Sequence, residues 1–159
     1  MNVTMNAVPI STLLPILPEI VLSLGAMALL LLGAYRERST QLINLASIML
    51  LVAAAFIVAL MPDGKAFGGS VVVDEFARFL KILVYIGSAT AIVLSLNYLA
   101  VERLEKCEYS ILILLSTVGM GMLISAGDLI SLYLGLEMMS LSLYVVAASG
   151  RDSLRSAEA

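Results

Sequence analysis

One carboxylate interrupts an otherwise uncharged run of apolar and hydroxyl residues, LISLYLGLEMMSLSLYVVAASG, which spans residues 129–150. This carboxylate is Glu137. On a helix its neighbours at −4, +3 and +7 are Tyr133, Ser140 and Tyr144, and all three carry hydroxyl groups. The four side chains would form a polar stripe along an otherwise apolar helix, and we expect such a stripe to face protein or water instead of lipid.

Proton transfer is the chemistry that this arrangement favours. Glu137 lies within three residues of the middle of its apolar run, where a charge costs about 2.5–3.5 kcal/mol on insertion scales. Burial favours the neutral acid and a nearby cation favours the carboxylate, so a midplane glutamate can bind or release a proton as a partner moves. The alternative is a structural glutamate that stays protonated and donates a hydrogen bond to another helix.

Other charged residues near the ends of apolar runs have simpler explanations. Asp128 follows Gly127 and is placed to cap the start of a helix. Glu19 follows Pro18, and an acid just after a proline at the first helical position is a common helix start.

A further group of charges precedes the third apolar run. Asp74, Arg78 and Lys81 fall at i, i+4 and i+7, on one face of a helix that we expect to start at Asp74. We interpret them as charges that neutralise one another at the start of this helix, with long side chains that snorkel to the membrane interface. A role in a proton exit path is the alternative. Lys81 and Asp128 are therefore secondary candidates for the proton path.

The composition is that of a membrane protein. Of the 159 residues, 61% are hydrophobic and 13% are charged, against about 45–50% and 25% in typical soluble domains. The net charge is −3 with no basic tract, which argues against a nucleic-acid partner. One cysteine, Cys107, and no histidine leave no internal disulfide and too few ligands for the usual zinc, iron–sulfur or haem sites.

Five apolar runs are long enough to span a bilayer, and they predict an all-α, polytopic transmembrane helix bundle that forms a single domain over residues 1–159. The runs are 18–35, 40–61, 82–101, 109–127 and 129–150. The first run lacks the charged n-region of a signal peptide and is interpreted as a retained helix. Between the second and third runs, GGSVVVDEF predicts a short extracytoplasmic hairpin.

The basic residues predict the orientation. Loops after the first, third and fifth runs carry six of them, against three on the other side. The richer side carries Arg36, Arg38, Arg103, Lys106, Arg151 and Arg155, and the poorer side carries Lys65, Arg78 and Lys81. The positive-inside rule therefore places the amino terminus outside the cytoplasm.

Small residues recur at helical spacing on two of the predicted helices, where they favour close helix packing. They are Gly87, Ala91 and Ser95 on the third helix, and Thr117, Gly121 and Ser125 on the fourth.

Four stretches together resemble the N-subunit family of bacterial NADH:quinone oxidoreductase, respiratory complex I. They are LPEIVLSLGAMALLLLGA, FARFLK, GDLISLYLGLEMMSLSLYV and RDSLRSAEA, and the similarity runs along essentially the whole chain. The related L and M subunits and the multi-subunit sodium/proton antiporters usually have a tryptophan before the matching glutamate and a proline nearby. Leu136 precedes Glu137 here and the chain has no tryptophan, so the N subunit fits better.

The resemblance implies an antiporter-like, proton-translocating subunit in the membrane arm of the complex, which lies in the bacterial cytoplasmic (inner) membrane. Glu137 matches the family's fifth-helix glutamate, which works with lysines on later helices while quinone is reduced elsewhere. The resemblance implies no cofactor in this chain, with flavin and iron–sulfur clusters in partner subunits. The family continues beyond the equivalent of Ala159, so we expect an amino-terminal part of a longer subunit, without the later helices and their lysines.

Two other functions remain open from the sequence. The same helix would serve a cation/proton antiporter subunit, for which sodium dependence of transport is the discriminating property. The five helices would equally serve as a structural or assembly segment in which Glu137 is permanently neutral. That second alternative predicts that bulky residues at Gly121 or Gly87 block assembly, whereas Glu137→Gln leaves activity unchanged.

Overall fold

Five helices and one small hairpin make up the computed structural model, which describes residues 14–35, 40–102 and 108–149. In chain order they are α1 (Leu17–Tyr35), α2 (Thr40–Leu60), β1 (Gly64–Ala66), β2 (Val71–Val73), α3 (Glu75–Glu102), α4 (Glu108–Ile124) and α5 (Leu129–Ser149). The predicted all-α membrane bundle is confirmed. Within the described residues, α1, α2, α3 and α5 are long and apolar enough to cross a membrane, and α4 is a shorter apolar helix.

Two helix boundaries differ from the apolar runs. α3 begins at Glu75, ahead of its apolar run, because the Asp74 carboxylate accepts a hydrogen bond of 2.7 Å from the Ala77 amide and caps the helix. The charged turn before the run is therefore helical. α4 ends at Ile124, short of Gly127, because the residues that follow pair with the hairpin.

The hairpin pairs β1 and β2 antiparallel, as the sequence predicted, with Lys65 opposite Val72. The turn between the strands contains two glycines at positive φ, Gly68 (67°) and Gly69 (104°), a conformation that glycine adopts without steric cost.

Backbone hydrogen bonds attach the hairpin to the segment after α4. The Val72 amide donates to the Ser125 carbonyl at 2.8 Å, and the Gly127 amide donates to the Ser70 carbonyl at 2.9 Å. The hairpin thereby joins the start of α3 to the connection between α4 and α5.

α4 lies at the centre of the described bundle, where it packs against α5, α1 and α3. Two glycines set its distance from α5. A Cβ added to Gly119 would lie 2.5 Å from the Met139 amide nitrogen, and one added to Gly135 would lie 2.8 Å from that of Leu123. Apolar surface gives helices no reason to associate in lipid, so close backbone contact of this kind supplies the attraction instead.

Buried polar pairs join α4 to its other neighbours. Ser110 donates to the Asn44 side-chain oxygen at 2.5 Å, and Thr117 donates to the Ser88 hydroxyl at 2.7 Å. Thr117 thus lies in a close helix contact, as its small-residue face predicted. Gly87 does not, because no atom of the described chain comes within 4 Å of a Cβ built there. The prediction of tight packing at Gly87 is wrong for these five helices.

Candidate functional site

The central carboxylate of α5 lies on the outer side of the bundle. Glu137 is half-buried, as is Ser140, whereas Tyr133 and Tyr144 are 59% and 70% exposed. The Tyr133 hydroxyl lies one turn away from the Glu137 carboxylate and interacts with it electrostatically. The four residues occupy one region of the helix surface, as their spacing predicted.

The opposite side of α5 makes the helix contact. Gly135 and Ser142 are buried there, and Ser142 donates to the Met138 carbonyl at 2.9 Å instead of bonding to another helix. The hydroxyl stripe with Glu137 therefore points away from the other described helices. Among the described residues, no lysine or arginine forms an ion pair with Glu137.

Asp128 caps the start of α5, in agreement with the sequence. Its carboxylate accepts a hydrogen bond of 2.7 Å from the Ser131 amide. Hydrogen bonds from the Ser70 side chain and from Ser131 hold the pKa of this carboxyl below its usual value. The Ser70 contact also ties the cap to the hairpin. These interactions give Asp128 a structural role, which is to cap α5 at the edge of the bundle.

Lys81 is completely buried, which corrects the expectation that it snorkels to the interface. Its ammonium lies 2.5 Å from the Oε1 atom of Glu19, whose side chain is 6% exposed. Arg78, one turn earlier on α3, pairs instead with Asp63. The prediction that Asp74, Arg78 and Lys81 neutralise one another at the start of α3 is therefore wrong, because each of them has a separate structural partner.

Glu19 is more than a helix start, since it supplies the counter-ion that Lys81 needs. Gly121 on α4 makes room for the pair: a Cβ there would lie 3.1 Å from Glu19 Oε1 and 3.7 Å from the Tyr85 hydroxyl. Tyr85 is itself 1% exposed. The carboxylate, the ammonium and the phenol thus meet in a buried cluster formed by α1, α3 and α4.

A signal for this pair was present in the sequence and was missed. In a bundle of antiparallel neighbours, the first and third helices start on the same side of the membrane. Glu19 lies in the first turn of α1 and Lys81 in the second turn of α3, so opposite charges occur at similar depth. The sequence did not show which helices are neighbours, so the pair could not be assigned from it.

No protein-family model matches the sequence. Individual relatives do match along most of it. The chain is 49% identical over 156 residues to a protein of Azorhizobium caulinodans named NADH-quinone oxidoreductase subunit N, a match that covers 94% of this chain and 33% of that protein. A protein of the same name from Methylobacterium nodulans is 48% identical over 149 residues, covering 91% of this chain and 31% of that protein.

A solved structure supports the same relationship. The fold matches a chain in the structure described as respiratory complex I from Thermus thermophilus with bound aureothin, with a TM-score of 0.70 and 26% identity. The match covers 82% of this chain and 28% of that chain. The sequence therefore spans about a third of the length of the relatives that it resembles.

Proposed function

We propose that this chain, which is related to NADH-quinone oxidoreductase subunit N over 94% of its length, is part of a proton-translocating subunit in the membrane arm of respiratory complex I. Its multi-pass helical fold and its likeness to a complex I chain support that role. Glu137 is the residue that binds and releases the proton, and quinone is reduced in other subunits.

The position of Glu137 is the observation that carries the proposal. It is the one carboxylate in the middle of α5, on a face that the other described helices leave uncovered. A buried carboxylate needs a cation or hydrogen-bond donors to stay charged. Tyr133 supplies a hydroxyl group near the carboxylate from the same helix, and a cation from a further part of the subunit would complete the site.

A movable cation makes such a site able to transfer protons. When the cation is close, Glu137 is stabilised as a carboxylate and loses its proton, and when the cation withdraws, the neutral acid is favoured. Tyr133, Ser140 and Tyr144 supply hydroxyl groups along the route. These groups can pass a proton because each hydroxyl both donates and accepts a hydrogen bond.

The chain works as part of a larger assembly. The redox cofactors belong to partner subunits, and this chain contributes helices that pack against other membrane-arm subunits and the lipid of the bacterial inner membrane. The amino terminus lies outside the cytoplasm. The six basic residues behind that orientation fall outside the described residues, so the proposal rests on the sequence pattern alone.

Replacement of Glu137 by glutamine in the full-length subunit tests the proposal. Glutamine keeps the shape and one acceptor oxygen but cannot be ionised, so we expect proton pumping during NADH:quinone turnover to fall at least about tenfold, on the scale typical of a lost proton-transfer group. Assembly, measured by the amount of intact complex, should be unchanged. Normal pumping in an assembled variant would contradict the proposal and favour the structural alternative.

A Ser142→Ala variant provides the matched control. Ser142 lies on the same helix but faces α4, where its hydroxyl bonds only to a backbone carbonyl of its own helix. Pumping should therefore stay near the wild-type level. A loss in Ser142→Ala equal to that in Glu137→Gln would indicate a general disturbance of α5.

A further inference from the structure

A cavity of about 340 Å³ lies beside the buried ion pair, between α1, α4 and α5. Its lining is largely apolar, but Glu19, Ser23, Ser125 and Ser131 contribute polar side chains to it. This cavity is distinct from the outer face of α5 that carries Glu137.

Two of the polar residues that line the cavity have unused hydrogen-bonding capacity. The Oε2 atom of Glu19 and the Oγ atom of Ser125 are buried and have no hydrogen-bond partner among the described residues. The two residues are only 5% and 2% exposed. Leaving a buried polar atom unsatisfied costs about 1–3 kcal/mol, and more for a charged group, so such atoms commonly bind ordered water.

The second carboxylate oxygen of Glu19 is already occupied. Oε1 accepts from the Lys81 ammonium at 2.5 Å, next to Gly121. The carboxylate therefore has one oxygen that binds the counter-ion and another that is available to a different donor. A purely structural ion pair is expected to have its remaining lone pairs satisfied by further hydrogen bonds.

We propose that Glu19 is a second proton-binding site in this chain, with Lys81 as its counter-ion and the cavity between α1, α4 and α5 as its route to water. A proton from water forms an O–H bond at Oε2 and converts the carboxylate into a carboxylic acid. Lys81 keeps its proton throughout, so the pair changes from a net charge of zero to +1. Release of the proton to water reverses the step.

The surroundings make Glu19 the group that exchanges the proton. Facing it are Lys81 and Tyr85 from α3, whereas α4 contributes Gly121 and the segment after α4 contributes Ser125, neither of which is titratable. From α5, Ser131 and Met138 line the cavity, and from β2 Val71 does so. No second carboxylate among these residues competes for the proton or compensates its charge.

Infrared difference spectroscopy of the assembled complex tests this proposal, with spectra taken between acidic and mildly alkaline pH. A C=O band of a protonated carboxyl group should appear on acidification in the wild type and be lost in Glu19→Gln. The band should shift in D₂O, because the site exchanges with water. It should persist in Glu137→Gln, which separates this proposal from the role of Glu137.

Three further variants test the counter-ion and the route. In Lys81→Met the band should grow at the alkaline end, since the carboxylate has lost its cation. Ser125→Leu fills the cavity and should slow the D₂O shift, whereas Ser125→Ala should not. If Lys81→Met fails to assemble, the comparison of the wild type with Glu19→Gln decides alone. Identical difference spectra in those two proteins would overturn the proposal and leave Glu19 as a permanently charged structural residue.

Discussion

Two carboxylates in the spans of this chain have opposite environments. Glu19 is buried and bound to Lys81, whereas Glu137 is half-buried, contacts Tyr133 and forms no ion pair within the described residues. The Glu19 carboxylate thus has a counter-ion within the described helices, whereas the Glu137 carboxylate is accessible to a partner outside them. That difference is why we assign the coupled proton step to Glu137.

Loss of the buried cation should destabilise the fold. In Lys81→Met the Glu19 carboxyl group loses its counter-ion and must take up a proton to avoid an unpaired buried charge, and removing one partner of a buried pair typically costs about 3–5 kcal/mol. We expect a clearly lower midpoint of thermal unfolding for the purified full-length subunit. Adding Glu19→Gln to Lys81→Met should recover most of that loss, because no buried charge then has to be neutralised. A single variant as stable as the wild type would show that Glu19 is not held as an ion.

At the scale of elements, α4 and α5 approach each other through glycine. Gly119→Ala places a methyl group 2.5 Å from the Met139 backbone nitrogen, so the two helices must separate. Overpacking typically costs about 1–3 kcal/mol, and rigid backbone yields less than a side chain does. We expect less folded subunit in the membrane and a lower thermal midpoint.

Gly87→Ala is the control for that prediction, because a Cβ at Gly87 meets no atom of the described chain within 4 Å. Replacing glycine by alanine within a helix also adds helix propensity. The variant should therefore be as stable as the wild type or slightly more stable. Equal destabilisation by the two substitutions would show that contact with α5 does not govern the effect.

The attachment of the hairpin to α5 should weaken in acid. The pKa of Asp128 is lowered in the folded protein by hydrogen bonds from Ser70 and Ser131. Its contribution is therefore present above the unfolded-state pKa of about 3.9 and is lost as the pH falls through the lower, folded-state value. Hydrogen-exchange protection of the Val72 amide should fall over that acidic range in the wild type.

Asp128→Asn removes the titrating group and should abolish this pH dependence. The Val72 amide bonds to the Ser125 carbonyl, which lies next to the cap, so its protection reports on the attachment. Protection factors corrected for the intrinsic exchange rate should become insensitive to pH in the variant. An unchanged acidic loss in Asp128→Asn would assign the effect to another group.

At the scale of the whole molecule, α5 is covered by its neighbours on one side only. Just 11% of the residues in its membrane-spanning window are buried, against 28–33% for the other three candidate spans. Large apolar side chains such as Leu141 and aromatic side chains such as Tyr144 are exposed. Because this chain spans about a third of its relatives' length, we expect the rest of the subunit to cover that face.

Photo-crosslinking at position 144 tests that arrangement. A photoreactive phenylalanine analogue in place of Tyr144 should form protein adducts in the assembled complex, because further helices pack on this face. In residues 1–159 expressed alone in liposomes, the same substitution should give lipid adducts. Lipid adducts in both preparations would place this face of α5 against the bilayer and would remove the basis for a proton route along it.

Much of the fold was predictable because lipid imposes strong local rules. Apolar length indicated the helices, glycines beside a β-branched run indicated the hairpin, and the spacing of Tyr133, Glu137 and Tyr144 placed them in one region of α5. Each of these inferences uses residues that are close in the chain. Local geometry was enough to place them, and the cap made by Asp128 follows from the same kind of pattern.

The pairing of Lys81 with Glu19 was not predictable in this way, because the residues are 62 positions apart in the chain and meet only through the packing of α1 against α4 and of α3 against α4. A buried lysine and a snorkelling lysine have the same local sequence, and only the neighbour across the helix contact distinguishes them. The open environment of Gly87 and the early end of α4 have the same origin. In each case a contact between distant segments, and not the propensity of a single segment, determined the outcome.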